Sequence, residues 1–138
     1  MGRVFFNTRL NLQDIAAAYT VLPGDSGKTF MVNQASAFAI DLPNAATALD
    51  GFHCEFIVGT VGAYAVTINA TTADGDNMHG HGIDGEDGAA QTVSEGTGFD
   101  VVTLASGATK GDRVQLVSDG TSWYVFSLAA DKAHITFT

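Results

Sequence analysis

Short alternations of apolar and polar residues dominate this chain, and residues 111–127, "GDRVQLVSDGTSWYVFS", show the pattern most clearly. Val114 and Leu116 fall on one side of an extended chain, with Gln115 and Val117 on the other, because side chains on a strand alternate faces. Ser118, Asp119, Gly120, Thr121 and Ser122 then supply turn chemistry: Asp and Ser bond nearby backbone, and Gly tolerates positive φ. Trp123, Tyr124, Val125 and Phe126 resume an aromatic and β-branched run. The segment predicts a hairpin whose loop is slightly longer than the tightest type. Trp123, a ring large enough to dominate a small core, is expected to pack there or at a seam between copies, together with Tyr124.

Comparable runs recur at short intervals: "YTVL", "KTFMVN", "AFAIDL", "FHCEFIVG", "AVTINA", "DVVTLA", "RVQLVS", "WYVFSL" and "HITFT". Many short strands divided by Gly, Asp, Asn and Ser predict an all-β sandwich or barrel. The expected fold is a single-domain β-sandwich over 19–138, jelly-roll-like in topology. Helical spacing is confined to "LQDIAAAY" and "NAATALDG", each a turn or two, with Gly51 the natural stop of the second. No repeat of solenoid period is visible.

Two segments break this texture. The first, residues 1–18, holds Arg3, Arg9, Phe5 and Phe6 and reads as an N-terminal arm that docks onto its own domain or a neighbour. The second, residues 71–98, is rich in Gly and acid. It reads as one long acidic loop, solvent-facing over 74–88 and dispensable there for attachment to a partner.

Composition narrows the function classes. A chain of 138 residues suits one domain, and a 46% hydrophobic content is enough to fill a core. Six basic residues against 15 acidic ones give a formal net charge of −9, which repels phosphate backbones and excludes nucleic acid as the direct ligand. Cys54 is the one cysteine, so an intrachain disulfide is excluded, and "HCEFIVG" places its thiol in a buried strand. The start "MGRVFFNTRL" lacks the continuous apolar core of an export signal, and no apolar run is long enough to cross a bilayer. Assembly in a cytoplasm, away from membranes, is the expectation.

Candidate chemistry is sparse. "GDSGKT", residues 24–29, ends like a phosphate-binding loop, but Leu22 stands where that motif needs glycine, and "FMVN" reads as strand where it needs helix. The same "GDSG" surrounds the nucleophile of trypsin-like proteases, yet no His precedes Ser26 to serve as its base. In "DGDNMHGHGIDGEDG", His79 and His81 would face one side of an extended chain, and imidazole suits Zn, Ni or Cu. With Asp84 they are the metal candidates, weighed against a solvated acidic loop, and neither metal nor cofactor is expected. Asp112 and Asp119 are expected to bond backbone at turns, and the lone His53 and His134 to be structural. No acid–base pair is apparent, so no enzyme is expected.

Taken together, "YTVLPGDSGKTFMVN", "AFAIDLPNA", "GFHCEFIVGT", "AVTINA" and "GDRVQLVSDGTSWYVFS" resemble a module of tailed-bacteriophage structural proteins. The likeness covers residues 19–70 and 111–127. It implies either a capsid decoration (cement) protein or a tail-fibre or tail-tip module that binds a host receptor or glycan. A single short acidic module with its own Met1 and a terminal arm resembles the decoration class. That class implies a homotrimer on the outer capsid surface of the virion, bridging subunits of the major capsid protein. Arg3, Phe5, Phe6 and Arg9 would make the coat contact. Aromatics exposed beside the 71–98 segment would favour the tail module; aromatics buried or at a seam would favour cement.

Overall fold

Winding, more than strand content, distinguishes this protein. In a computed structural model, residues 11–48, 50–70, 78–85, 90–91 and 98–138 are described. The first six strands are β1 (Asn11–Ile15), β2 (Tyr19–Thr20), β3 (Lys28–Asn33), β4 (Phe38–Asp41), β5 (Asp50–Thr60) and β6 (Val66–Asn69). They alternate between two sheets. β1, β3 and β5 lie side by side and parallel in sheet A, and β2, β4 and β6 do the same in sheet B. The chain therefore winds as three coils, in the manner of a β-helix. A single 3-10 turn (Pro23–Asp25) and a four-residue helix, α1 (Ala45–Ala48), occupy two of the corners.

The second half closes both sheets. β7 (Met78–Asp84), β8 (Ala90–Gln91), β10 (Arg113–Asp119) and β11 (Trp123–Ala129) complete sheet A, in the order β1-β3-β5-β10-β11-β7-β8. β9 (Val101–Leu104) and β12 (Ile135–Phe137) complete sheet B as β12-β9-β6-β4-β2. The hairpin read from residues 111–127 is β10–β11, with Val114 facing Ser127 and Leu116 facing Val125 across it.

The two sheets share one hydrophobic core. Phe30 and Phe56 stack at 4.9 Å from adjacent parallel strands, Phe52 meets Trp123 edge-on at 5.5 Å, and Phe99 meets Phe137 at 5.0 Å. Ile40, Val66, Ile68, Val102 and Leu104 fill the facing side from sheet B. The all-β sandwich is thus the architecture. A jelly roll joins antiparallel strands, whereas both sheets here are mixed.

Three expectations are corrected. "LQDI" is not helical: residues 11–15 pair in parallel register with 28–32, and Lys28 Nζ donates to Gln13 Oε1 at 2.9 Å. The stretch read as an arm over 1–18 therefore joins the domain from Asn11 onward. Arg3, Phe5, Phe6 and Arg9 lie outside the described residues. The acidic segment is not one continuous solvent-facing loop, because residues 78–84 form β7, parallel to β11, with Met78 fully buried. Glycine alternation permits this. A Cβ on Gly80 would lie 1.8 Å from the Val125 carbonyl oxygen, so only glycine lets the two backbones approach. The remaining parts of that segment, 71–77, 86–89 and 92–97, lie outside the described residues.

Gly51, the expected helix stop, already belongs to β5 at φ +84°, while α1 ends at Ala48.

Candidate functional site

The "GDSGKT" stretch folds as a turn clasp. Asp25 is buried, and its carboxylate accepts from the Leu22 amide at 2.9 Å and the Tyr19 hydroxyl at 3.0 Å, while Lys28 Nζ sits 2.7 Å away. Burial alone would raise its pKa, but the Leu22 amide, Lys28 and Tyr19 outweigh that and hold it below the ordinary value. The lysine is thereby committed to a carboxylate, and strand β3 begins at it where a phosphate loop needs a helix. The fold also brings His53 beside Ser26, which sequence order alone does not show. The serine Oγ accepts from the His53 backbone amide at 3.3 Å, and the ring Nδ1 meets the Gly51 carbonyl oxygen. Asp25 faces Tyr19 and Lys28, so the base-and-orienter roles of a hydrolase are not filled.

A second cluster centres on Asp112, which is 4% exposed. Its carboxylate accepts from the Thr109 amide at 2.7 Å, the Thr109 hydroxyl at 3.0 Å and the Ala130 amide at 2.9 Å, and lies 2.9 Å from His134 Nδ1. A carboxylate orienting an imidazole is two thirds of a nucleophilic triad. Among the described residues, however, no hydroxyl or thiol is hydrogen-bonded to the other ring nitrogen. The arrangement ties the turn before β10 to the connection between β11 and β12. Asp119 acts similarly at the β10–β11 turn, accepting from the Thr121 hydroxyl and the amides of Thr121 and Ser122, and from Tyr124 OH at 2.9 Å. Both acids bond turn backbone, as their positions predict.

The metal candidates separate on the strand. His79 and His81 point outward from β7, whereas Asp84, on the opposite parity, is buried. Among the described residues no three His, Cys, Asp or Glu side chains are grouped to hold an ion. Cys54 is buried, and burial, with a smaller contribution from the Asp25 charge, pushes its thiol pKa far up.

What the fold does assemble is an apolar outer face on sheet A. Trp123 is fully buried, and its neighbours on the other parity of β11 emerge on the outside: Tyr124 is 49% exposed, Phe126 40% and Leu128 40%. In register beside them on β7 stand His79, His81 and Ile83; on β10 stand Val117, Gln115 and Arg113. The His79 ring lies 6.3 Å from Tyr124, and His81 packs edge-on to Phe126 at 6.1 Å. Val117 (47%) and Ile83 (39%) widen the patch. Contiguous exposed apolar area of this kind marks an interaction surface. The sequence carries its signal: "WYVFSLA" is apolar on both parities, where a strand with one wet face would alternate.

A separate cleft of about 370 Å³ opens across β1, β3 and β5, with Asp14 and Lys110 among its walls and Met31, Asn33 and Thr60 along it.

Comparison with family models, with curated proteins and with solved structures finds no match for this chain. Fold and site together define an all-β two-sheet domain with a row of exposed apolar side chains on the outer face of sheet A.

Proposed function

We propose that this protein is a non-enzymatic capsid decoration (cement) protein of a tailed bacteriophage. In this reading it associates as a homotrimer and sits on the outer head surface of the virion. There it bridges major capsid protein subunits against the outward pressure of packed DNA. The observation that carries the reading is the outer face of sheet A. An exposed strip that mixes aliphatic with aromatic side chains fits packing against protein, since Leu128, Ile83 and Val117 offer a sugar nothing to hydrogen-bond. The resemblance of the β3, β5 and β10–β11 segments to phage structural modules supports the same class. Binding that exists only on the assembled shell stabilises the shell by mass action. Electron microscopy of purified particles, with and without added protein, tests it: density spread over the head supports the reading, and bare heads overturn it. Phe5→Ala with Phe6→Ala should weaken decoration and make heads release DNA at lower temperature.

A second reading, a tail-fibre or tail-tip module for a receptor or glycan, draws on a specific observation. Tyr124 and Phe126 are exposed beside β7, within the 71–98 segment, and the Asp14–Lys110 cleft is within the size range of ligand pockets. Density at the tail tip alone would favour it.

A further inference from the structure

We infer that His79 and His81 together seat one divalent transition ion, Ni²⁺, Cu²⁺ or Zn²⁺, on the outer face of sheet A. The inference goes beyond the reading above and does not depend on it. Two residues apart on β7, both side chains leave the strand on the same side, and both are exposed. Their Cα atoms are spaced by about 6.6–6.8 Å, twice the rise of one strand residue. An ion with metal–nitrogen bonds of about 2.0–2.1 Å needs the two ring nitrogens about 3 Å apart, a convergence that rotation about the side-chain torsions supplies.

The neighbouring strand holds the pair. β7 runs in parallel register with β11, His79 beside Tyr124 and His81 beside Phe126. Each imidazole leans on its own aromatic neighbour, at ring-centre distances of 6.3 Å and 6.1 Å, so both rings are flanked from the same strand. The Tyr124 ring is itself tied through its hydroxyl to Asp119 at 2.9 Å. Between the histidines, a Cβ on Gly80 would lie 1.8 Å from the Val125 carbonyl oxygen. A slip of one residue would put a histidine Cβ there, so the register that spaces the two rings is fixed. The ring nitrogens are also uncommitted. Among the described residues, His53 meets the Gly51 carbonyl and His134 meets Asp112, but no hydrogen bond reaches the ring of His79 or His81. Chemistry selects the ion: imidazole favours Cu²⁺, Ni²⁺ and Zn²⁺, whereas Ca²⁺ and Mg²⁺ want oxygen. Asp84 is buried on the opposite parity, and among the described residues no third His, Cys, Asp or Glu joins the pair, so the remaining positions stay open to water.

The test titrates the full chain with Ni²⁺ or Zn²⁺ alone, read by calorimetry and by amide NMR. One ion should bind per chain, and Ca²⁺ should not displace it. Paramagnetic Ni²⁺ should first broaden the amide signals of residues 78–82 and 124–126. Removing a partner that merely orients a ligand costs about tenfold or more in metal affinity, so His79→Gln and His81→Gln, which remove a ligand, should each cost at least that. The double variant should not bind, and His53→Gln should bind like the wild type. Both histidines are exposed, so the variants should keep the wild-type circular dichroism spectrum; the broadening map of the wild type needs no variant at all. No uptake by the wild type, undiminished binding by the double variant, or broadening centred away from β7 would overturn the inference. Displacement of Ni²⁺ by Ca²⁺ would overturn it too, because it would place the ion on carboxylates.

Discussion

Replacing Asp112 by alanine should be among the most destabilising single changes in the described core. The carboxylate gathers three donors at 2.7–3.0 Å, with His134 Nδ1 2.9 Å away, and the Asp112 carbonyl oxygen accepts from the Val58 amide, so its own backbone cannot drift to compensate. A hydrogen bond to a charged group contributes about 1.5–3 kcal/mol, but bonds converging on one acceptor do not add. Removing one member of a buried charged cluster costs about 3–5 kcal/mol, because the partners are left unpaired. Here those partners include the amides of Thr109 and Ala130, and that range is the expected loss. A domain of this length holds about 7–20 kcal/mol in total, so the variant should still fold. With a urea slope of about 1–3 kcal/mol/M, the unfolding midpoint should fall by about 2 M. His134→Ala removes one partner of the cluster, at a partly exposed position, and should cost about 1 kcal/mol. A loss below about 1 kcal/mol for Asp112→Ala, or an equal loss for both variants, would refute the view that the carboxylate is the tie and the imidazole its lesser partner.

Further outcomes follow from single residues. Trp123 is fully buried, yet among the described residues its Nε1 has no hydrogen-bond partner, so Trp123→Phe should cost markedly less than the about 3–5 kcal/mol of Trp123→Ala in the same urea titration. The Thr121 hydroxyl, the Ser122 and Thr121 amides and Tyr124 hold the Asp119 pKa far below its ordinary 3.8. Its stabilising contribution is therefore complete above that value, shrinks below it and vanishes once pH passes the folded value. Melting curves of wild type and Asp119→Asn should accordingly differ at pH 7 and converge in strong acid. Burial raises the Cys54 thiol pKa, so a thiol reagent should label it slowly in the native protein and at once in denaturant. Gly80→Ala cannot keep β7 against the Val125 carbonyl, so amide exchange should speed up along residues 78–84 and 123–129 while β3 and β4 stay protected.

Nine of the twelve described strands are legible from short apolar runs, most of which alternate against one core. The other three, β1, β7 and the two-residue β8, are not. In β1 the apolar residues Leu12 and Ile15 sit at helical spacing, and what fixes the strand is a parallel partner 17 residues away, Lys28 opposite Asn11. β7 is built of His and Gly, which carry little strand propensity, and it is held by backbone pairing to β11. The coiled winding escapes a search for repeats for a related reason. In sheet A, 17 residues separate Asn11 from Lys28 but 26 separate Thr29 from Glu55; in sheet B, 21 separate Tyr19 from Ile40 and 28 separate Phe38 from Val66. Coils of unequal length stack as well as equal ones, since only the strands must match, and they leave no period in the sequence. Parallel pairing between strands so far apart is set by tertiary packing, which no local pattern encodes.

The outer face was within reach of the same alternation and shows how a local reading can mislead. An aromatic, β-branched run predicts burial, and on β11 half of it is buried: Trp123, Val125 and Ala129 face the core. The other half has no core to face. Neighbouring strands of sheet A follow the rule for a sheet with one wet side at His53 and Glu55 on β5 and at Gln115 on β10, and depart from it at Val117 on β10 and Ile83 on β7. Tyr124, Phe126 and Leu128 break it on a strand that lies inside the sheet, away from its edges, where neither end-fraying nor edge protection calls for apolar groups. The Tyr124 hydroxyl is moreover fixed by Asp119, so one ring of the row is held in place before any partner arrives. An exposed row of this kind is the surface on which the proposed contact is to be tested first.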